Sequence, residues 1–325
     1  NFCAEPVDPK DPTAQWLTAR PEALRAIRNK VLGRSDYEAH AGCCTSANAI
    51  YWVEVVYQRP DGPVVVRNLT EGTKVKVPEV VEPIEPDLLY PLLRGRDVQR
   101  WRAEPSAWII SVHTRDGKVI PEAEFQRKYP KAYTYLKQFE PILKQRKDAM
   151  VQGMYRRGFP FYTYSAVGDY TFAPWKVVWR EVAHTLDAAV AGPHEGKPAM
   201  PDHTLILIDC ASEHEAHYLC GCLNSTPARL GVQAYIVLHP DPHILEHIRI
   251  PRFDPGNPLH RRLAELSKEA HQAAKRDDKA RLLEIEAEID KAAAKLWGLT
   301  DAELSAVQHS LRELAGDDPT DTEFD

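Results

Sequence analysis

Apolar positions follow two regimes along this chain of 325 residues. From Pro258 onward they recur every three or four residues. Leu282, Ile285, Ile289, Ala293 and Leu296 make one stripe among Glu, Ala and Lys. That 3.6-residue period predicts two long helices, residues 259–274 and 279–297, joined by the charged cluster at 275–279. Thr300 and Glu303 have capping-box spacing and predict a last short helix. Near the other end, Pro21 in a first turn, apolar residues at helical spacing and Gly33 as the stop predict a helix over residues 21–32.

Between these helices the apolar runs are short and mostly strand-like. Residues 49–57, 64–66, 75–81, 108–113, 176–182, 204–208 and 235–238 read as strands, with a turn at Asp61, Gly62 and Pro63. Residues 87–93 read as a short helix ending at Gly95, and 121–147 as mainly helical, divided by Pro130 and Pro141. Residues 150–168, rich in Gly, Tyr and Arg, read as a loop, and 213–223 as an amphipathic helix. The expected fold class is α+β: a mixed-sheet domain over residues 1–255, a helical hairpin over 256–315 and a disordered acidic tail over 316–325.

A hydrophobic content of 43% supports a real core, and no run reaches the ~20 apolar residues of a membrane helix. The N-terminus lacks a signal-peptide pattern, and the missing initial Met suggests a piece of a longer polypeptide. Six scattered cysteines fit a reduced, cytoplasmic protein better than a disulfide scaffold. His214 and His217 with Cys220 and Cys222 form the best metal candidate. The simpler reading is a helix whose small Cys side chains pack inward, and no metal is expected.

Charge changes the picture more than composition does. Residues 88–180 hold 17 Lys and Arg against 8 Asp and Glu, whereas residues 1–87 hold 10 against 13 and residues 181–325 hold 14 against 26. A net of +9 inside a chain of net −6 is the distribution expected of a protein that gathers cations on one face to neutralise phosphates. Arg94, Arg96, Arg100 and Arg102 alternate around Gly95, where several guanidiniums can face one duplex and take guanine edges bidentately. Tyr155, Arg156 and Arg157, in the expected loop, can enter a groove. Asp97, Glu104 and Asp148 are the acids in reach, and about half of these arginines are expected to pair with them. Asn224 and Ser225 read as a helix cap. Trp101, Trp108, Trp175 and Trp179 read as core anchors.

Five phrases, in order, resemble the C-terminal target-recognition region of adenine-specific DNA methyltransferases. The groups concerned are type IIG restriction–modification enzymes and the related methylase of BREX phage-defence systems. The phrases begin with Gly42, Thr45 and Asn48 before an aromatic strand, where Ser46 stands in place of the family's usual Gly. The most specific is Pro91, Leu93, Arg94, Gly95, Arg96, Asp97, Val98, Arg100 and Trp101, similar to the family's Pro-x-Leu-Arg-Gly-Lys-Asp-Ile-x-Arg-Trp. Tyr129 to Leu136 with Leu143 to Arg146, and Pro174 to Glu181, come third. Tyr218 to Ser225 is the fourth, and His247 to Pro251 followed by the helical pair is the fifth.

The resemblance implies a sequence-specific DNA-recognition module in a restriction–modification or phage-defence system. Its partners would be double-stranded DNA and an upstream methyltransferase module, with no membrane association. Thr45, Asn48, Arg94, Arg96, Arg100, Arg102, Tyr155, Arg156, Arg157 and Lys176 are the expected DNA-binding residues. No catalytic residue and no cofactor are expected in this chain. It has neither a Gly-rich turn in a βαβ unit nor an Asn-Pro-Pro-aromatic loop for a flipped adenine, because Asn257 and Pro258 open a helix. S-adenosylmethionine would belong to the missing module, making the parent protein a site-specific DNA adenine methyltransferase. The alternative is a metal-dependent nuclease or another stand-alone DNA-modifying enzyme, using Glu195, Lys197, Asp202 and Asp209. There the Glu-x-Lys precedes the Pro-Asp, the reverse of the PD-(D/E)xK order.

Overall fold

The computed structural model describes residues 2–6, 16–58, 62–73, 75–234 and 242–316. In chain order, β1 (Cys3–Pro6) and β2 (Trp16–Ala19) form an antiparallel ribbon leading into α1 (Pro21–Lys30). Then come β3 (His40–Ala41), α2 (Asn48–Tyr51), β4 (Trp52–Gln58), β5 (Val64–Asn68), β6 (Val81–Ile84) and β7 (Leu89–Leu93). A small hairpin of β8 (Val98–Gln99) and β9 (Arg102–Ala103) precedes β10 (Ala107–Ile110). Four short helices follow: α3 (Glu122–Lys128), α4 (Pro130–Gln138), α5 (Glu140–Lys144) and α6 (Ala149–Arg156). Strands β11 (Trp175–Arg180), β12 (Ala189–Ala191), β13 (Met200–Pro201) and β14 (Leu205–Cys210) come next. The described chain ends in α7 (Glu213–Asn224), α8 (Thr226–Gln233), α9 (Pro258–Lys275), α10 (Lys279–Trp297) and α11 (Asp301–Gly316).

The larger sheet has the order β13-β7-β10-β4-β5-β6 and is antiparallel except at β7–β13. The smaller has the order β12-β11-β14-β3 and is antiparallel throughout. The fold is therefore α+β with a mixed sheet and C-terminal helices, as the sequence pattern predicts. Helices α3 to α5 bury Phe125, Leu136, Phe139 and Leu143 together with Val53, Val66, Ile84 and Ile109 of the larger sheet. A second core joins α1 and the smaller sheet to α7–α11: Ile27, Trp179, Ile208, Leu219, Leu263, Ile289 and Val307 share one cluster. A small patch around Leu93, Val98, Val178 and Leu205 links the two.

Several elements depart from the pattern-based expectation. Residues 87–93 are a short 3-10 turn followed by strand β7, all five of whose residues are buried. With β10 on one edge and β13 on the other, β7 shows an unbroken apolar run with no alternation to identify it. Residues 49–57 begin as a helical turn, because Ile50 N–H bonds back to Ala47 C=O and the strand starts only at Trp52. The expected loop at 150–168 carries α6, capped by Asp148, whose carboxylate accepts the Val151 N–H at 2.9 Å. The final helix is long, and Thr300 and Glu303 make both bonds of the capping box. The strand expected at 235–238, Asp61 of the turn, and residues 317–325 of the tail lie outside the described residues.

A candidate nucleic-acid interface

The Arg94–Trp101 phrase folds inward. Arg94 is buried; its Nε donates to Asp97 at 3.2 Å, its Nη2 donates to Ser106 Oγ, and its guanidinium lies 5.9 Å from the Trp52 ring centre. Gly95 N–H donates to Thr204 Oγ1, and a Cβ on Gly95 would stand 2.9 Å from that oxygen, so the turn leaves no room for a side chain. Arg100 donates to the Asn224 carbonyl at 2.9 Å and pairs with Glu286 at 3.2 Å. Trp101, 1% exposed, holds a left-handed φ of 65° and donates its indole N–H to the same Glu286 at 2.7 Å. Asn224 in turn grips Ala188 with both halves of its amide, at 2.9 and 2.7 Å. Arg102 is exposed and paired with Glu104 at 2.9 Å. Of the four arginines, only Arg96 is exposed with no carboxylate within 4 Å among the described residues.

Thr45 and Tyr155 meet at a residue to which the sequence reading gave no role, and Asn48 is tied to Thr45. Arg146, 5% exposed, donates to the carbonyls of Thr45 (2.7 Å), Leu143 (3.0 Å), Phe161 (2.9 Å) and Thr163 (2.7 Å), and to the Tyr155 hydroxyl. Thr45 Oγ1 donates to Asn48 Oδ1 at 2.6 Å and accepts the Ala47 N–H. Ser46, where the resembling family has Gly, keeps the glycine-like conformation at φ 52°. A lone Arg in a helical segment gives no pattern that reveals such a hub. Only its place in the third resembling phrase pointed to it.

Burial corrects two expectations and qualifies a third. Lys176 is not a surface cation: it is 1% exposed, its Nζ donates to the Ala173 carbonyl, and burial pushes its pKa down to about 7. Arg94 is likewise occupied internally. Tyr155 lies on a helix and turns its hydroxyl into the Arg146 cluster, while its neighbours Arg156 and Arg157 are exposed. The metal candidate does not assemble either. Cys220 and Cys222 are buried in the second core, and His217 faces Ser267 Oγ at 3.2 Å. Among the described residues no group of three or more His, Cys, Asp or Glu is placed to hold a metal.

A run of exposed positive charge lies on α3, α4 and α6 and the links beside them. Arg127, Lys128, Lys131, Lys147, Arg156 and Arg157 are exposed, and none has a carboxylate within 4 Å among the described residues. Of the acids nearby, Glu140 lies between Lys137 (2.7 Å) and Lys144 (2.8 Å) and Glu122 accepts the Tyr133 hydroxyl at 2.6 Å, whereas Glu124 makes no hydrogen bond or ion pair among the described residues. Aromatic rings interleave with the cations, Lys128 over Tyr129 at 5.1 Å and Arg157 over Phe159 at 5.5 Å. An open cleft of about 550 Å³ runs between Glu122, Lys144, Arg157, Phe159 and Phe161.

No family model matches the chain. The type II methyltransferase M.NspV of Nostoc sp. is 29% identical over 153 residues, which are 46% of this chain and 30% of that protein. The chain is weakly homologous to a type II methyltransferase. Its fold is similar to that of the type IIL restriction–modification enzyme MmeI, solved in complex with DNA. The TM-score is 0.51 at 10% identity, over 86% of this chain and 36% of that one. The type IIG restriction endonuclease BpuSI gives 0.39 at 14% identity over 84% and 32%, too loose an overlap to carry an argument. The chain spans about a third of each of these proteins. Among the described residues no helix is long and apolar enough to cross a membrane.

Proposed function

We propose that this chain is the double-stranded-DNA recognition part of an adenine-specific methyltransferase from a restriction–modification or phage-defence system. It holds and orients the duplex while a separate S-adenosylmethionine-dependent module, upstream in the longer protein, carries out the chemistry. The observation that carries this reading is the set of six exposed cations on α3, α4 and α6 and the links beside them, none with a carboxylate within 4 Å among the described residues. The fold likeness to an enzyme captured on DNA supports it. Arg96, Arg102, Arg156 and Arg157 remain the contacts from the original set. Thr45, Asn48, Arg94, Arg100, Tyr155 and Lys176 act by shaping the frame. The described residues do not fit S-adenosylmethionine, having no Gly-rich turn within a parallel βαβ unit, and no chemical step is assigned to them.

The nuclease reading is the weaker one. Asp202 is buried and caps its own turn through the Thr204 N–H at 3.0 Å, while Lys197 Nζ donates to the Leu89 carbonyl at 2.7 Å. Both side chains make these bonds within the fold, and among the described residues no three His, Cys, Asp or Glu gather to hold a metal. The test is a titration of randomised duplex with the chain at rising salt. Six phosphate contacts at a slope of about 0.9 each imply a loss of roughly 10³-fold between 50 and 200 mM salt. A flat salt dependence, or no binding at 50 mM, overturns the proposal.

A further inference from the structure

Helix α6 presents an unusual outward face. At 100° per residue, Ala149, Met150, Gly153, Arg156 and Arg157 fall on one side; all are exposed except Gly153, which is half-buried. Met150 is 66% exposed, and Phe159, just past the helix, is 38% exposed. The opposite side is fixed: Val151 is buried, and the Tyr155 hydroxyl donates to the Leu143 and Phe161 carbonyls beside Arg146. Gly153 is the informative residue. Glycine weakens a helix interior, so its presence calls for a reason. The fold supplies none, because a Cβ built there would meet only the Arg156 guanidinium, at 3.8 Å. A helix that gives up a side chain at the centre of an exposed face, between a protruding Met and two guanidiniums, is shaped for something that approaches from outside.

We infer that this face enters a groove of duplex DNA and that Met150 wedges between adjacent base pairs. Gly153 lets the helix backbone come close, and Arg156 and Arg157 hold the flanking phosphates. The occupant follows from charge: no carboxylate lies within 4 Å of either guanidinium among the described residues, and exposed Lys147 sits just before the helix. Apolar wedges of this kind partly unstack a base step and kink the duplex by roughly 20–90°. The Arg146 cluster keeps the helix rigid enough to deliver the side chain. This inference rests on the DNA-binding reading above and adds a mechanism to it.

The experiment uses a randomised duplex pool labelled at both ends for energy transfer, with permanganate reactivity of thymines reporting unstacking. The chain is expected to raise both signals. Met150→Ala is expected to bind within about threefold of the unaltered chain yet raise neither signal. Gly153→Ala is expected to melt at a higher temperature, as helix propensity dictates, and to bind about tenfold more weakly. Binding without bending, or Met150→Ala bending like the unaltered chain, overturns the wedge and leaves DNA binding intact. Failure to bind at 50 mM salt overturns both.

Discussion

Arg94, Arg96, Arg100 and Arg102 crowd into a short turn and hairpin, whereas the six exposed cations around α3–α6 are spread over three helices and the links beside them. By residue type, the first group looks the better DNA reader. In the folded chain it is largely structural. Arg94 closes a turn on Asp97, Arg100 and Trp101 reach Glu286 on α10, and among the described residues only Arg96 of the four is exposed without a carboxylate partner. In the second group six cations are exposed with no carboxylate within 4 Å among the described residues. What separates them is partner supply: a guanidinium near a half-buried carboxylate is drawn inward, and one on an acid-poor helix face keeps its charge for a ligand. Density of positive charge along a sequence therefore says less about phosphate binding than the acids that fold back onto it.

The largest expected effect is acid lability on the Trp101 side. Burial, helped by the nearby His271, pushes His217 down to about 3, and burial pushes His271 down to about 4; His271 packs edge-to-face against Trp101 at 5.5 Å. Both stay neutral in the fold but take up protons near 6.5 once unfolded. Their contribution is thus complete above pH 6.5 and is lost as pH falls toward 4 and below, at roughly 3 kcal/mol per imidazole by pH 4. Hydrogen exchange should show α7 and α9, which hold two such imidazoles, opening at a higher pH than α3–α6, whose side of the molecule holds one, His113, pushed by burial down to about 4. Simultaneous opening would erase the distinction between the regions.

Next in size, Trp101→Ala should cost about 3–5 kcal/mol by chemical denaturation, with DNA affinity per folded molecule unchanged. A selective loss of binding would return the turn to the interface. Replacing Arg127, Lys131, Arg156 and Arg157 by Gln should do the reverse. Stability is expected to stay within about 0.5 kcal/mol, and the salt slope to fall by about 3 to 4. An unchanged slope would show that these charges face no phosphate. The smallest effect is expected of Ser46→Gly, a gain of about 1 kcal/mol from relieving the left-handed backbone, read as a rise in melting temperature.

The parts legible in the sequence are those governed by neighbours in the chain. The 3.6-residue stripes of α9 and α10, the Thr300–Glu303 capping box and the Pro130 and Pro141 breaks all appear where the pattern puts them. Strand β7 was hidden because burial on both faces removes the alternation that marks a strand. Helix α6 was hidden by Gly153 and by the tyrosines and arginines around it. The candidate site was readable as to residue type but not as to direction. Arg100 and Trp101 are turned inward by Asn224 and Glu286, more than a hundred residues away. No local pattern announces such partners.

Arg146 offers a last consequence. Its partners are four main-chain carbonyls and one hydroxyl, with no carboxylate among them. Main-chain oxygens are supplied by every residue type, so the anchor beneath α6 is indifferent to which side chains its outward positions carry. Met150, Arg156 and Arg157 can be exchanged in the course of evolution without loosening their mount. A protein so arranged can acquire a new preference by altering a few surface positions, with the scaffold that bears them inherited unchanged.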